Sequence, residues 1–267
     1  MLEFLQYAFM QRAFLAGIII ALLCAVIGLF LVLRRMSLLG DGLAHISFGG
    51  IAAGFLFGFY PILSALIFSI LGALGIQQLK KMKVYGDAAI AIFFSFGLAL
   101  GVILVSLSHG FTGDLFSYLF GSILAVTEID ILIILVAGIF TLIIVYLLYK
   151  ELFYITFDEY SAKASGLPVE KFDTLLVILT AITVVLSMRI VGILLVSSLL
   201  VIPSSTALLL NKSFKQTIFY SIIIAIAAVI IGLILGFYFD LAAGGAIVII
   251  LILFFLLGLI IKKLKRH

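Results

Sequence analysis

Long apolar runs dominate this chain and constrain its fold more than any other feature. Nine of them could cross a bilayer if short or tilted members are included. They cover residues 13–33, 41–59, 61–79, 88–107, 130–149, 172–190, 192–210, 216–238 and 243–261. Hydrophobic residues make up 66% of the chain and charged residues only 10%, which excludes a water-soluble globule. We therefore predict an all-α polytopic membrane protein, a single domain over residues 1–267, with nine spans or with eight if one is re-entrant.

The positions of the basic residues predict the orientation of the spans. If the polar loop at about residues 150–171 is cytoplasmic, every Lys and Arg except Arg12 and Arg189 lies on the cytoplasmic side. The N-terminus is then outside and the C-terminus is cytoplasmic. This bias accounts for the net charge of +4, so we expect contact with membrane lipid and none with nucleic acid. We interpret Arg189 as an anchor at the outer interface.

The segment 113–130, between the fourth and fifth spans, differs from its neighbours. It is too polar at its ends to form a clean crossing, yet its middle is apolar enough to dip into the membrane. We predict a short outer or re-entrant helix here.

One polar pair interrupts the second span. Asp41 and His45 are four residues apart, so a helix places them one above the other on one face. An ionisable side chain near a bilayer centre costs about 2.5–3.5 kcal/mol, so such groups usually face a partner, a cavity or a substrate path. An Asp and a neutral His also suit a divalent metal such as zinc. The alternative is a buried hydrogen-bonded pair that fixes helix packing, and we favour the metal-binding hypothesis.

Three glycines mark another face of the same span. Gly50, Gly54 and Gly58 form a repeated small-xxx-small pattern of the kind that lets two membrane helices approach closely. At about 100° per residue, Gly50 lies roughly 180° from Asp41. We therefore predict that the glycine face packs on a neighbouring helix while the Asp41/His45 face lines something else.

The loop at about 150–171 contains the only sizeable cytoplasmic element that the sequence predicts. Asp158 can cap a helix, Glu159 lies in its first turn, and Gly166 and Pro168 end it. A well-capped short helix on a loop-poor face suggests docking to another protein. The alternative is a simple connector, although compact chains prefer connections of about 4–6 residues.

Motifs of common enzymes are absent from the sequence. It contains no Gly-x-x-x-x-Gly-Lys-Ser/Thr phosphate loop, no His-Glu-x-x-His helix and no Gly-x-Ser-x-Gly elbow. We therefore expect a protein that is not itself an enzyme, and any nucleotide hydrolysis must belong to a separate chain.

Five segments in order resemble one known family. They are Arg-Arg-Met-Ser at 34–37, Gly-Asp-x-Leu-Ala-His-x-Ser at 40–47, 117–124, 158–168 and 191–203. Together they are similar to the integral-membrane permeases of zinc-, manganese- and iron-type metal-ion ABC importers. The resemblance implies the larger, vitamin B12-type permease fold in a prokaryotic cytoplasmic membrane.

The resemblance also implies partners and a cargo. It implies a second permease subunit, in a homodimer or pseudo-dimer, a cytoplasmic ABC ATPase dimer and an extracytoplasmic metal-binding protein. It also implies that the 158–166 helix couples to the ATPase. The cargo would be Zn²⁺ or Mn²⁺, with iron possible, and we expect no permanently bound cofactor. The alternative function is a stand-alone ion-coupled metal carrier, which would need its own driving-ion site and no docking helix.

A two-fold axis completes the predicted metal site. A tetrahedral ion needs about four ligands and one chain supplies two, so we expect Asp41 and His45 from two copies to share the ion. We interpret His109 and Asp114 as solvated loop residues, with docking of the metal-binding protein as the lesser alternative, and His267 as a solvated tail residue.

Overall fold

The computed structural model describes residues 6–108, 113–122 and 124–264, and within these ranges all regular structure is helical. The predictions about His109, His267 and the side chain of Asp114 lie outside the described part of the chain. The helices are α1 (Ala8–Leu33), α2 (Leu39–Phe57), α3 (Pro61–Lys81), α4 (Gly86–Leu107), α5 (Gly113–Phe120), α6 (Glu128–Leu147), α7 (Tyr149–Phe157), α8 (Glu159–Ala164), α9 (Val169–Val191), α10 (Val196–Leu208), α11 (Phe214–Phe239) and α12 (Ala243–Leu264).

Eight of the nine predicted spans are helices long and apolar enough to cross a membrane. Their ends agree with the predicted ends to within about five residues. The all-α membrane fold is therefore confirmed. The seventh predicted span, 192–210, is different because its helix, α10, has only 13 residues.

A break in the helix before α10 explains why α10 is short. Gly192 ends α9 with a φ of +88°, a conformation that favours glycine. The N–H of Ile193 then donates to the carbonyl of Tyr118 at 2.9 Å, and the N–H of Leu194 donates to that of Leu119 at 3.3 Å. Both carbonyls belong to the last turn of α5, where no helical partner exists. The two interrupted segments thus satisfy each other's backbone groups, as they must in a membrane.

The predicted short helix within 113–130 is therefore present as α5, and it supports the start of α10. The short α10 still completes a passage through the bundle. Gly244, at the start of α12, lies against the carbonyl of Val191, whereas Gly258, near the end of α12, lies against Thr206 and Leu209. The segment 192–209 therefore runs alongside α12 from its start to about Gly258.

The ends of α1, α3 and α12 carry Arg34, Lys80 and Lys262, and we name this the basic end of the bundle. Helices α2, α4, α9 and α11 begin at the same end.

Helices α1, α2 and α9 form the centre of the bundle. Between 72% and 78% of their apolar windows are buried, against 28% to 39% for the other spans. The peripheral helices keep a broad apolar face for lipid or for a partner. The central position of α2 matters because this helix carries Asp41 and His45.

Candidate functional site

The Asp41/His45 pair lies near the basic end of α2. Asp41 is in the first turn of the helix, and His45 is one turn further in. With a rise of 1.5 Å per residue, Asp41 lies about 3 Å and His45 about 9 Å from the start of the helix. Asp41 therefore lies close to the end of the span, whereas His45 lies between that end and the middle.

Asp41 faces a cavity between α2 and α4. The cavity has a volume of about 260 Å³ and is also lined by Asp87, Phe94 and Ser95. Asp87 and Ser95 are exposed, and so are two other lining residues, Leu38 and Ala91. The cavity thus opens on the side of the helix bundle and not towards the centre of the bundle.

His45 packs beside the same cavity. Its ring centroid is 4.1 Å from that of Phe94, which lines the cavity. Its Nδ1 atom is buried and has no hydrogen-bond partner among the described residues. Leaving such a nitrogen unpaired is costly, so it is available to a ligand.

One chain supplies an incomplete set of metal ligands. No group of three or more His, Cys, Asp or Glu side chains that could hold a metal occurs in the described residues. Asp41 and His45 offer two donors, and a protein site usually needs about four. A metal ion bound by this pair would need further donors from a second molecule or from water.

Two of the three predicted packing glycines lie in a close helix contact. A Cβ atom added at Gly50 would meet the Cα of Ala65 at 2.8 Å, and one at Gly54 would meet the Cα of Pro61 at 2.9 Å. Both contacts are with α3. The prediction for Gly58 is wrong, because this residue caps α2 with a φ of +72° and has nothing within 4 Å of its Cβ position.

A second close helix contact, between α2 and α4, holds the backbone at His45. A Cβ atom at Gly97 of α4 would meet the nitrogen of Ile46 at 2.6 Å and the carbonyl oxygen of His45 at 2.7 Å. Our sequence reasoning did not include Gly97. The Gly97/Gly101 spacing in the fourth span is the signal that could have found it.

The docking helix predicted at 158–166 is α8, and it is shorter than expected. Asp158 caps it, since Oδ1 accepts the backbone N–H of Ser161 at 2.9 Å and Oδ2 accepts the Ser161 hydroxyl at 2.5 Å. These bonds hold the pKa of the Asp158 carboxyl below its usual value. Gly166 follows with a φ of +88°, and Pro168 leads into α9. The residues at both ends of α8 are therefore those that the sequence predicted.

An ionic cluster, which we name the basic-end cluster, joins α8 to the bundle. The guanidinium of Arg34, just after α1, donates to the carboxylate of Asp173 on α9 and to Glu159 on α8, the latter at 3.1 Å. The Arg34 side chain is only 8% exposed, and the Glu159 side chain is 57% exposed. Sequence reasoning missed Asp173, because its partner lies 139 residues away.

A second ionic cluster, which we name the opposite-end cluster, joins α6, α9 and the α2–α3 turn. Arg189 donates from Nε to Asp130 at 2.9 Å, and the Tyr60 hydroxyl donates to the same carboxylate at 2.5 Å. The Arg189 guanidinium also lies 4.4 Å from the ring centroid of Tyr118. The interpretation of Arg189 as an interfacial anchor is therefore wrong, because its side chain is only 12% exposed and is paired with a fully buried acid.

Most of this chain is similar in sequence to one transport family. Residues 6–262 match the ABC 3 transport family. The manganese import system permease protein ScaB of Streptococcus gordonii is 37% identical over 224 residues, which is 82% of this chain and 80% of ScaB.

Solved structures show the same fold. PsaBC from Streptococcus pneumoniae in complex with Fab matches with a TM-score of 0.87 and 36% identity, over 96% of this chain and 93% of that one. An inward-facing metal-chelate type ABC transporter shares the fold alone, with a TM-score of 0.75 at 18% identity over 95% and 86% of the two chains. The chain belongs to the ABC 3 transport family.

Proposed function

We propose that this chain is the permease subunit of an importer that moves a divalent transition-metal ion across the cytoplasmic membrane, with manganese as the favoured cargo. Family membership supports a permease, and the names of relatives such as the manganese import permease ScaB support manganese over zinc and iron. The chain carries no phosphate-loop motif, so a separate ATPase supplies the energy. The ion is a transported substrate and not a resident cofactor.

The incomplete Asp41/His45 pair is the observation that carries this proposal. It supplies one carboxylate and one imidazole beside a cavity that opens sideways. A second copy related by a two-fold axis would supply an equal pair, so the ion would have four protein ligands. Carboxylate and water suit Mn²⁺, so water can complete a larger shell around the two carboxylates and two imidazoles.

The surface around the cavity suits such a second copy. Helix α4 exposes large apolar side chains, including Ile92, Phe96 and Val102. A partner there would bury this face and enclose the metal between the two pairs. We therefore propose a homodimer, with the metal path on its axis.

We also propose that the basic end faces the cytoplasm and that the 1–267 chain is a single membrane domain. The excess of Lys and Arg at this end supports the orientation. Helix α8 would then be accessible to a cytoplasmic ATPase, with Asp158, Glu159, Gly166 and Pro168 shaping the contact. An extracytoplasmic metal-binding protein would deliver the ion from the opposite face.

Metal uptake by reconstituted complexes tests this function. Asp41→Asn removes a charged ligand, and His45→Ala removes the imidazole, so each should lose nearly all ⁵⁴Mn²⁺ uptake while the ATPase still co-purifies. Asp87→Asn is the comparison variant, because it removes the same charge from the α4 side of the same cavity and should keep more uptake than either ligand variant. Wild-type uptake by either ligand variant would contradict the proposal.

A further inference from the structure

We propose that Arg34 is a positioning residue that transmits movement of α8 to the metal-binding helix α2. This inference rests on the proposed function, because it assumes that an ATPase moves α8. Arg34 itself touches neither the cavity beside Asp41 nor any proposed ligand. Its two acidic partners lie on two different elements, α8 and α9.

A tight turn links Arg34 to the start of α2. The N–H of Arg35 donates to Val32, that of Met36 donates to Leu31, and that of Leu39 donates to Met36, all at 2.9 to 3.1 Å. The turn thus has little backbone freedom between Arg34 and Leu39, and Asp41 follows within the first turn of α2. A pull on the Arg34 side chain therefore displaces the end of the helix that carries the proposed ligand.

The two ion pairs of Arg34 differ in strength. Asp173 is the more buried partner, with 18% of its side chain exposed, and its backbone carbonyl also accepts Gln77 Nε2 from α3 at 3.4 Å. Glu159 is 57% exposed and receives one hydrogen bond at 3.1 Å. Exposed ion pairs contribute little and break easily. The Asp173 pair is therefore the stronger of the two, and the Glu159 pair is the one that α8 can make and break.

Space for this movement lies beside the cluster. A cavity of about 530 Å³ is lined by Arg34, Lys80, Glu159 and Asp173, among others. Lys80 places a second cation near Asp173, so this acid keeps a cationic neighbour when Arg34 shifts towards Glu159. Movement of α8 can thus change which acid holds Arg34 without leaving an unpaired buried carboxylate.

The test uses the complex of permease, ATPase and metal-binding protein in proteoliposomes. Arg34→Met should lower the number of Mn²⁺ ions imported per ATP hydrolysed by roughly tenfold, which is within the usual range of coupling between sites. Glu159→Ala should produce a similar fall, and Arg34→Lys should keep part of the coupling because a point charge still holds one acid. Arg35→Met is the matched control, since it removes an adjacent exposed charge for which the described residues show no ion pair.

Hydrogen exchange with and without a trapped nucleotide separates transmission from simple structural damage. In the wild-type complex, the nucleotide should change exchange both in α8 and in residues 35–43. In Arg34→Met, the response of α8 should remain and that of residues 35–43 should be lost. A lost response in both regions would overturn the inference, because it would indicate a general disturbance.

The inference and the proposed function fail in different ways. If no ATPase co-purifies with the wild-type chain, the proposed function fails. If the Arg34→Met complex assembles and imports Mn²⁺ with the wild-type ratio to ATP, the role of Arg34 is wrong and the proposed function stands.

Discussion

The two ionic clusters of this protein are both built from Arg–carboxylate pairs, but they differ in how closed they are to solvent. At the opposite end, Asp130 is fully buried and accepts from Arg189, Tyr60 and the backbone of Thr127. At the basic end, Arg34 serves two acids, and one of them is more than half exposed beside a large cavity. A closed cluster holds helices in one arrangement, whereas an open one can exchange partners. We infer that the opposite end is fixed in this conformation and that the basic end is the part able to move.

The largest effect on stability is expected at Asp130. Asp130→Ala leaves the buried Arg189 guanidinium without its counterion, which typically costs about 3–5 kcal/mol. Thermal unfolding of the detergent-purified permease measures this loss. Glu128→Ala is the control, because its carboxylate is 80% exposed and pairs only at the surface with Arg12. Equal melting temperatures for the two variants would show that the opposite-end cluster is not a fixed point.

A smaller loss is expected at Asp173. Asp173→Ala also removes the counterion of Arg34, but the adjacent cavity admits water and Glu159 remains to pair with the guanidinium. We expect a loss of about 2 kcal/mol, at the lower end of the range for hydrogen bonds to charged groups. The same unfolding assay applies. A loss as large as that of Asp130→Ala would remove the contrast between the two clusters.

Gly166→Val tests the end of α8. The φ of +88° disfavours a β-branched residue, and no side chain lies within 4 Å to be displaced. The cost is therefore backbone strain alone, about 1–2 kcal/mol, and it should fall on α8 and its ATPase contact. Faster amide exchange confined to residues 159–167, with reduced ATP-driven uptake, is the expected result. Unchanged ATP-driven uptake would contradict the assignment of α8 as the coupling helix.

The smallest stability effect is expected for Glu159→Ala. An exposed pair contributes at most about 1 kcal/mol, so the melting temperature should stay near that of the wild type. The same variant should nevertheless strongly reduce metal import per ATP. A large fall in stability would mean that the Arg34–Glu159 pair is structural and does not break in the transport cycle.

Hydropathy alone predicted most of the fold, because a helix that crosses a bilayer needs a run of about 20 mostly apolar residues. It missed the late helix start within 192–210, because that start depends on hydrogen bonds to α5, which is distant in sequence. The glycine spacing failed for Gly58, because the small-xxx-small pattern does not reveal where a helix ends.

The functional residues likewise include some that the sequence predicted and some that it did not. Asp41 and His45 were found from local spacing in an apolar run. The partners of Arg34 and Arg189 were not found, since they are 125, 139 and 59 residues away and only the folded chain brings them together. Local periodicity carries no information about such pairs.

In the mechanism that we propose, His45 and Asp41 bind the transported ion directly. Pulsed electron paramagnetic resonance on the permease–ATPase complex, loaded with Mn²⁺ in the absence of the metal-binding protein, tests this binding, because an imidazole nitrogen bound to Mn²⁺ gives a characteristic hyperfine coupling. We predict a nitrogen coupling that disappears in His45→Gln and a weakly bound or absent ion in Asp41→Asn. A nitrogen coupling unchanged in His45→Gln, or bound Mn²⁺ without any nitrogen coupling in the wild type, would contradict the account.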